Sequence, residues 1–139
     1  MFRVPNHMKF RKVRKGKVKN IETKTVNLDF GSYGLQVTES ARLSAAQLEA
    51  VRRVLSRKMK RSGSIWFRVY PDRPISEKPA EVRMGKGKGS VGYWACYVAA
   101  GRMLLEIDGV SKDMAISALT SGKMKLPCGA RIVERPTFV

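Results

Sequence analysis

The stretch "RLSAAQLEAVRRVLSRKMKRSG", residues 42–63, decides the fold because it predicts a helix that must pack on something else. Ser44 and Gln47 have capping-box spacing: the hydroxyl accepts from the third helical amide, and the glutamine side chain reaches back to the cap amide. Leu43 and Leu48 are placed for a hydrophobic staple. Leu48, Val51, Leu55 and Met59 recur at helical spacing and make one apolar stripe. Arg53, Arg57, Lys60 and Arg61 are expected on the opposite face. Basic residues in the last turn suit the helix dipole, and Gly63 is a natural stop. Glu49 is the one acid available for pairing within the helix. A face with charges of one sign fits phosphate contact.

Working outward, "TVNLDF" (25–30) and "YGLQVT" (33–38) alternate apolar and polar residues around turn glycines and predict two short strands. "SIWFRVY" (64–70) predicts a strand with Ile65, Phe67 and Val69 on one face. The next segment holds Pro71, Pro74 and Pro79 and is expected to be a stiff connector. "VGYWACYVAA" and "RMLLEI" predict a hairpin turning near Gly101. "GVSKDMAISALTSGKMKLP" predicts a second helix, capped by Ser111 and stopped before Pro127. "ARIVER" predicts a last strand. Mixed and antiparallel strands with two helices make a single compact α+β domain. Residues 1–22 are expected to form a basic arm, and 23–139 the domain, with a Gly/Lys loop at 81–90.

The charge points to the partner. The 139 residues hold 28 Lys+Arg against 11 Asp+Glu, a net charge of +17, with 43% apolar residues to build a core. So basic a protein repels itself unless a polyanion neutralises it, and nucleic acid is the foremost candidate. Residues 1–20 carry eight Lys/Arg and no acid. Lys9, Arg11, Lys12, Arg14, Lys15 and Lys17 are the candidate RNA-binding cations there. Phe10 and Val13 are interleaved as apolar anchors. The longest apolar run, Tyr93–Ala100, is far below the roughly 20 residues of a membrane span, so no membrane insertion is expected. Cys96 and Cys128 lie apart, and His7 is the single histidine, so no zinc-ligand spacing exists and reduced thiols are expected.

The Gly/Lys loop "EVRMGKGKGS" (81–90) admits three readings. A P-loop needs a hydroxyl residue after Gly-Lys, and here glycine follows each time. Gly87, Gly89 and Gly92 match GxGxxG, with Glu106 or Asp108 at about the right remove. That motif must open a helix, whereas "YWACYV" favours a strand. The remaining reading is a basic finger. In it Arg83, Met84, Gly85, Lys86, Gly87, Lys88 and Gly89 bring cations on a slim backbone against a sugar-phosphate surface. No nucleotide cofactor, metal or catalytic set is expected.

The chain resembles a known family, the large-ribosomal-subunit protein sixteen of bacterial and organellar type. The resemblance spans roughly residues 5–135. It is carried by "KFRKVRKGK", "FGSYGL", "RLSAAQLEAVRR", "EIDGV", "KLP" and, most specifically, "IWFRVYPDRPISEKPAEVRMGKGKG". Two departures stand out: Pro5-Asn6-His7 where the family commonly has Pro-Lys-Arg, and Ser90 where it often has Asn. The resemblance implies an α+β fold with helices on one side and a hammerhead-like strand excursion. It implies a non-enzymatic, structural role: binding large-subunit rRNA beside neighbouring ribosomal proteins near the peptidyl transferase centre. It also implies that the Gly/Lys loop approaches the tRNAs in the aminoacyl and peptidyl sites. The alternative is a non-ribosomal RNA or polyanion binder. The compartment is expected to be an organelle, a mitochondrion favoured, with plastid and bacterial cytoplasm as alternatives.

Overall fold

A computed structural model describes residues 5–136. Seven strands and two helices follow in the order β1 Tyr33–Val37, β2 Ala41–Ser44, α1 Ala45–Lys58, β3 Ser64–Phe67, β4 Arg73–Glu77, β5 Ser90–Val98, β6 Met103–Asp108, α2 Lys112–Lys123 and β7 Ala130–Glu134. They form two sheets of antiparallel neighbours, one ordered β3-β6-β1-β7 and one ordered β2-β5-β4. The α+β expectation holds.

Helix α1 begins as its sequence dictates. The Ser44 hydroxyl accepts from the Gln47 amide at 3.2 Å, and the Ser44 amide donates to the Gln47 side chain at 2.8 Å. Leu48, Val51, Leu55 and Met59 are all buried, joining Leu35, Leu43, Leu105, Ile107 and Leu119 in one core. Burying a leucine is worth roughly 1.5–3 kcal/mol, so this stripe holds α1 in place far more firmly than its cap does. Helix α2 packs against α1 and against β7 and β1. Ser111 stands at the α2 N-cap as expected but makes no side-chain capping bond.

The helix end differs from expectation. Helix α1 stops at Lys58 with Met59 as its cap, well short of Gly63. Lys60 and Arg61 take left-handed φ values of 51° and 62°. Their amides donate to the Arg57 and Ser56 carbonyls, closing the helix end as a glycine usually does. Lys60 and Arg61 therefore project from a turn and not from the helical face.

Three strand expectations are corrected. Residues 25–30 are not a strand. The amides of Asp29, Phe30 and Gly31 instead converge on one Glu106 carboxylate oxygen at 3.0, 2.7 and 2.8 Å. The proline-rich connector contains a strand, β4, with Pro74 opposite Trp94. Proline is tolerated because β4 is an edge strand. Finally, β5 and β6 are not a hairpin. The chain turns at residues 99–102, with the Arg102 amide donating to the Ala99 carbonyl, and crosses from one sheet to the other. The true hairpin is β4–β5, with Glu77 opposite Ser90. The Gly/Lys loop is thus the tip of a hairpin.

Candidate nucleic-acid interface

Two groups of cations stand on this scaffold. The first lies along α1 and its end. Arg52, Arg53, Ser56, Arg57, Lys60 and Arg61 line a shallow groove of about 500 Å³. A neighbouring groove of about 670 Å³ has an apolar floor that includes Ala46, Ala50 and Val54, with Arg53 and Arg57 at its rim. The groove brings the candidate residues Arg53, Arg57, Lys60 and Arg61 together, with Arg52 beside them. Arg52 is bound to Glu49 through two guanidinium contacts at 3.0 and 2.8 Å. Arg53 also reaches Glu49, at 3.2 Å, so it is paired in the free protein, contrary to the picture of an acid-poor, unpaired face. The Arg53 side chain remains 72% exposed, and a pair this open is worth little, so exchange for a phosphate is cheap. The Arg52 guanidinium is the main cause holding the Glu49 carboxyl down to a pKa of about 2.

The second group joins the arm to the loop. Lys9, Arg11, Lys12, Arg14, Lys15 and Lys17 are all exposed, as are residues 81–88. Phe10, expected as an anchor, is 63% exposed, while Val13 is half-buried. The Lys12 ammonium donates to the Lys88 carbonyl at 2.9 Å. The Lys88 ammonium donates to the Val13 carbonyl at 2.6 Å. The Tyr97 hydroxyl donates to the Lys15 carbonyl, and the Lys78 ammonium to the Gly85 carbonyl. Tyr97 lies under the Arg73 guanidinium, 5.4 Å from its ring centre. Tyr97, Arg73 and Lys78 were not singled out from the sequence. Arg73 on β4 and Tyr97 on β5 meet only because residues 73–77 form a strand, which the prolines obscure in the sequence.

The glycines of the loop are not alike. Gly85 and Gly87 have φ of 95° and 87°, on either side of Lys86 at 51°, and a Cβ at either glycine would meet nothing. Gly89 is packed: a Cβ there would lie 2.3 Å from the Glu77 carbonyl oxygen. The first two shape the tip, and the third lets the two strands of the hairpin approach. The geometry also disposes of the dinucleotide reading. Gly92 lies within β5, and Glu106 is spent on the 29–31 turn.

That turn anchors the sheet carrying β6. Glu106 is fully buried on β6 and pairs with Arg68, which also pairs with Asp29. Burial raises the Glu106 pKa, but the Gly31 amide, Arg68 and the Phe30 amide together outweigh it, and the net shift is downward. Arg68 also covers the Phe30 ring at 5.2 Å, and Phe30 stacks on Trp66. The residues "FGS" and "EID" thus meet in space as one carboxylate cradle. This ion pair ties the turn to β6.

A model of the family described as ribosomal protein L16p/L10e matches residues 5–133. The chain belongs to that family. Among curated relatives, large ribosomal subunit protein uL16 of Bartonella bacilliformis is 52% identical over 131 residues, covering 94% of this chain and 96% of the relative. The protein of the same description from Bartonella henselae is 49% identical over the same coverage. Membership in the L16p/L10e family makes the chain a ribosomal protein, a structural component and not an enzyme.

Proposed function

We propose that this structural constituent of the large ribosomal subunit grips large-subunit rRNA with its arm and α1 groove, and presents the 81–90 hairpin tip to tRNA in the aminoacyl and peptidyl sites. The cations assigned to rRNA are Lys9, Arg11, Lys12, Arg14, Lys15, Lys17, Arg53, Arg57, Lys60 and Arg61. Those assigned to the tRNA side are Arg83, Lys86 and Lys88, with Met84 and the three glycines giving the tip its shape. One observation carries the reading: in a chain of the L16p/L10e family, the cations gather on an exposed arm, an exposed hairpin tip and one helix groove. Arginines can fork onto phosphate there, and lysines can meet it as point charges. Neighbouring ribosomal proteins complete the surroundings, as family membership implies.

A free-standing polyanion binder would share the charge but has no reason to match large-subunit proteins over 131 residues. The relatives named above are bacterial, and they lend no support to a mitochondrial location. A bacterial-type large subunit is the setting they favour.

The test is to purify large subunits carrying Arg83→Ala, Lys86→Ala and Lys88→Ala together. Incorporation, tRNA binding and peptide formation are then measured. Full incorporation with impaired tRNA binding is expected. Full incorporation with unaltered tRNA binding and translation would remove the tRNA assignment, and failed incorporation would make the tip an assembly element instead.

A further inference from the structure

The described part of the arm, residues 5–22, lies in none of the named helices or strands, so its backbone carbonyls bond to side chains or to water. Two of them find donors on the β4–β5 hairpin: Val13 accepts from Lys88, and Lys15 accepts from Tyr97. The hairpin tip in turn has an acceptor, the Lys88 carbonyl, that takes its hydrogen bond from Lys12 of the arm. Lys12 and Lys88 therefore exchange bonds, each ammonium resting on backbone of the other segment. Each such bond is weak by itself. The three close the same pair of segments, so once one forms the others have less chain entropy to lose.

We propose that Lys12 and Val13 of the arm, which exchange bonds with Lys88, are positioning residues for the 81–90 tip and fix where Lys86 and Lys88 point, while Tyr97, near the far end of β5, holds the next stretch of arm at Lys15. This rests on the reading of the tip as the tRNA-facing element. An ammonium has three N–H donors, and the clasp uses one on each lysine. Lys12 and Lys88 each keep donors for phosphate while the clasp stays closed. Arm seating on rRNA and tip posture are therefore coupled, and the coupling works in both directions: an ordered tip strengthens the arm's grip by the factor by which a seated arm orders the tip.

The experiment uses the full chain, with backbone amide relaxation measured at Gly85, Gly87 and Gly89. Tyr97→Phe removes a single hydroxyl without changing charge. Lys12→Gln removes the donated charge, Lys12→Arg restores donors, and Lys19→Gln makes the same charge change outside the clasp. In the natural chain the order parameter of Gly89 is expected near the rigid value of about 0.85, falling towards about 0.6 in Tyr97→Phe/Lys12→Gln. Lys12→Arg should recover it, and Lys19→Gln should leave it in place. Unchanged tip order in the double variant, or equal loosening by Lys19→Gln, overturns the clasp. Among subunits that have incorporated the chain, those carrying the double variant should bind tRNA several-fold more weakly than those carrying Lys19→Gln. A loosened tip with unaltered tRNA binding would uphold the clasp and overturn the tRNA assignment, so the two failures are distinguishable.

Discussion

Arg68 and Glu106 form an ion pair beneath the 29–31 turn, with the glutamate fully buried and the arginine shared with Asp29. Arg68 takes one carboxylate oxygen, the three amides converge on the other, and together they hold the group ionised.

Glu106→Gln is expected to cost about 3–5 kcal/mol, because it leaves a largely buried guanidinium without its closest partner. Chemical denaturation at neutral pH measures this. The pH dependence follows from the sign of the shift. Glu106 has a folded pKa below its ordinary value of 4.5, so its ionised form stabilises the fold above that value. The contribution is lost as pH falls through the lowered folded pKa. Glu49, held at about 2, acts in the same direction. Stability should therefore drop between about pH 4.5 and pH 2 in the natural chain, and drop less in Glu106→Gln.

The two faces of α1 should separate under mutation. Leu55 is fully buried, and Leu55→Ala should cost about 2–5 kcal/mol while leaving RNA contacts chemically intact. Arg53→Gln with Arg57→Gln should weaken rRNA binding with little change in melting temperature, since both side chains are exposed. Thermal unfolding and RNA affinity measured on both variants check this. A Gln pair that unfolds the protein at unchanged affinity would reverse the assignment.

Much of this helix was legible in the sequence because its signals are local. The Ser44–Gln47 box and the Leu48–Met59 stripe depend on neighbours within a few turns. The errors occurred where distant residues decide. Residues 25–30 alternate like a strand, yet their amides turn to Glu106, more than seventy positions away. Pro74 argued against a strand, and only the edge position of β4 permits it. The arm and loop cations were individually visible from charge. Their contact was not, because Lys12 and Lys88 are 76 residues apart and nothing local marks the acceptor carbonyls.

Alanine at Gly89 and alanine at Gly85 should fail in different ways. At Gly89 the added carbon meets the Glu77 carbonyl, so strand pairing at the end of β4–β5 must open. Amide hydrogen exchange in Glu77 and Ser90 should accelerate. At Gly85 there is space, and the penalty is the left-handed backbone, about 1–2 kcal/mol confined to the tip. Exchange in the strands should then stay as in the natural chain.

Lys60 and Arg61 occupy left-handed backbone without the relief a glycine would give. Arg61→Gly is expected to stabilise the isolated chain by up to about 1 kcal/mol and to weaken its affinity for rRNA. Equal or greater RNA affinity in that variant would mean the Arg61 side chain does not reach phosphate.

Binding of the natural chain to rRNA should weaken steeply with salt. Each phosphate neutralised contributes a log–log slope of roughly −0.7 to −0.9. A flat profile between low and physiological ionic strength would argue against RNA as the principal partner.

The edge position of Pro74 has a consequence for the life of the chain before assembly. A newly made protein of this kind must wait for its RNA, and exposed sheet edges are where waiting molecules recruit one another into aggregates. Here β4 ends its sheet with a residue that has no N–H to donate, while the opposite edge strand, β2, is only four residues long. Self-repulsion at net +17 keeps copies apart at long range, and blunted edges deny them a template at short range. Replacing Pro74, itself buried, with a β-branched residue would therefore return an N–H to this edge strand and favour self-association of the orphan subunit.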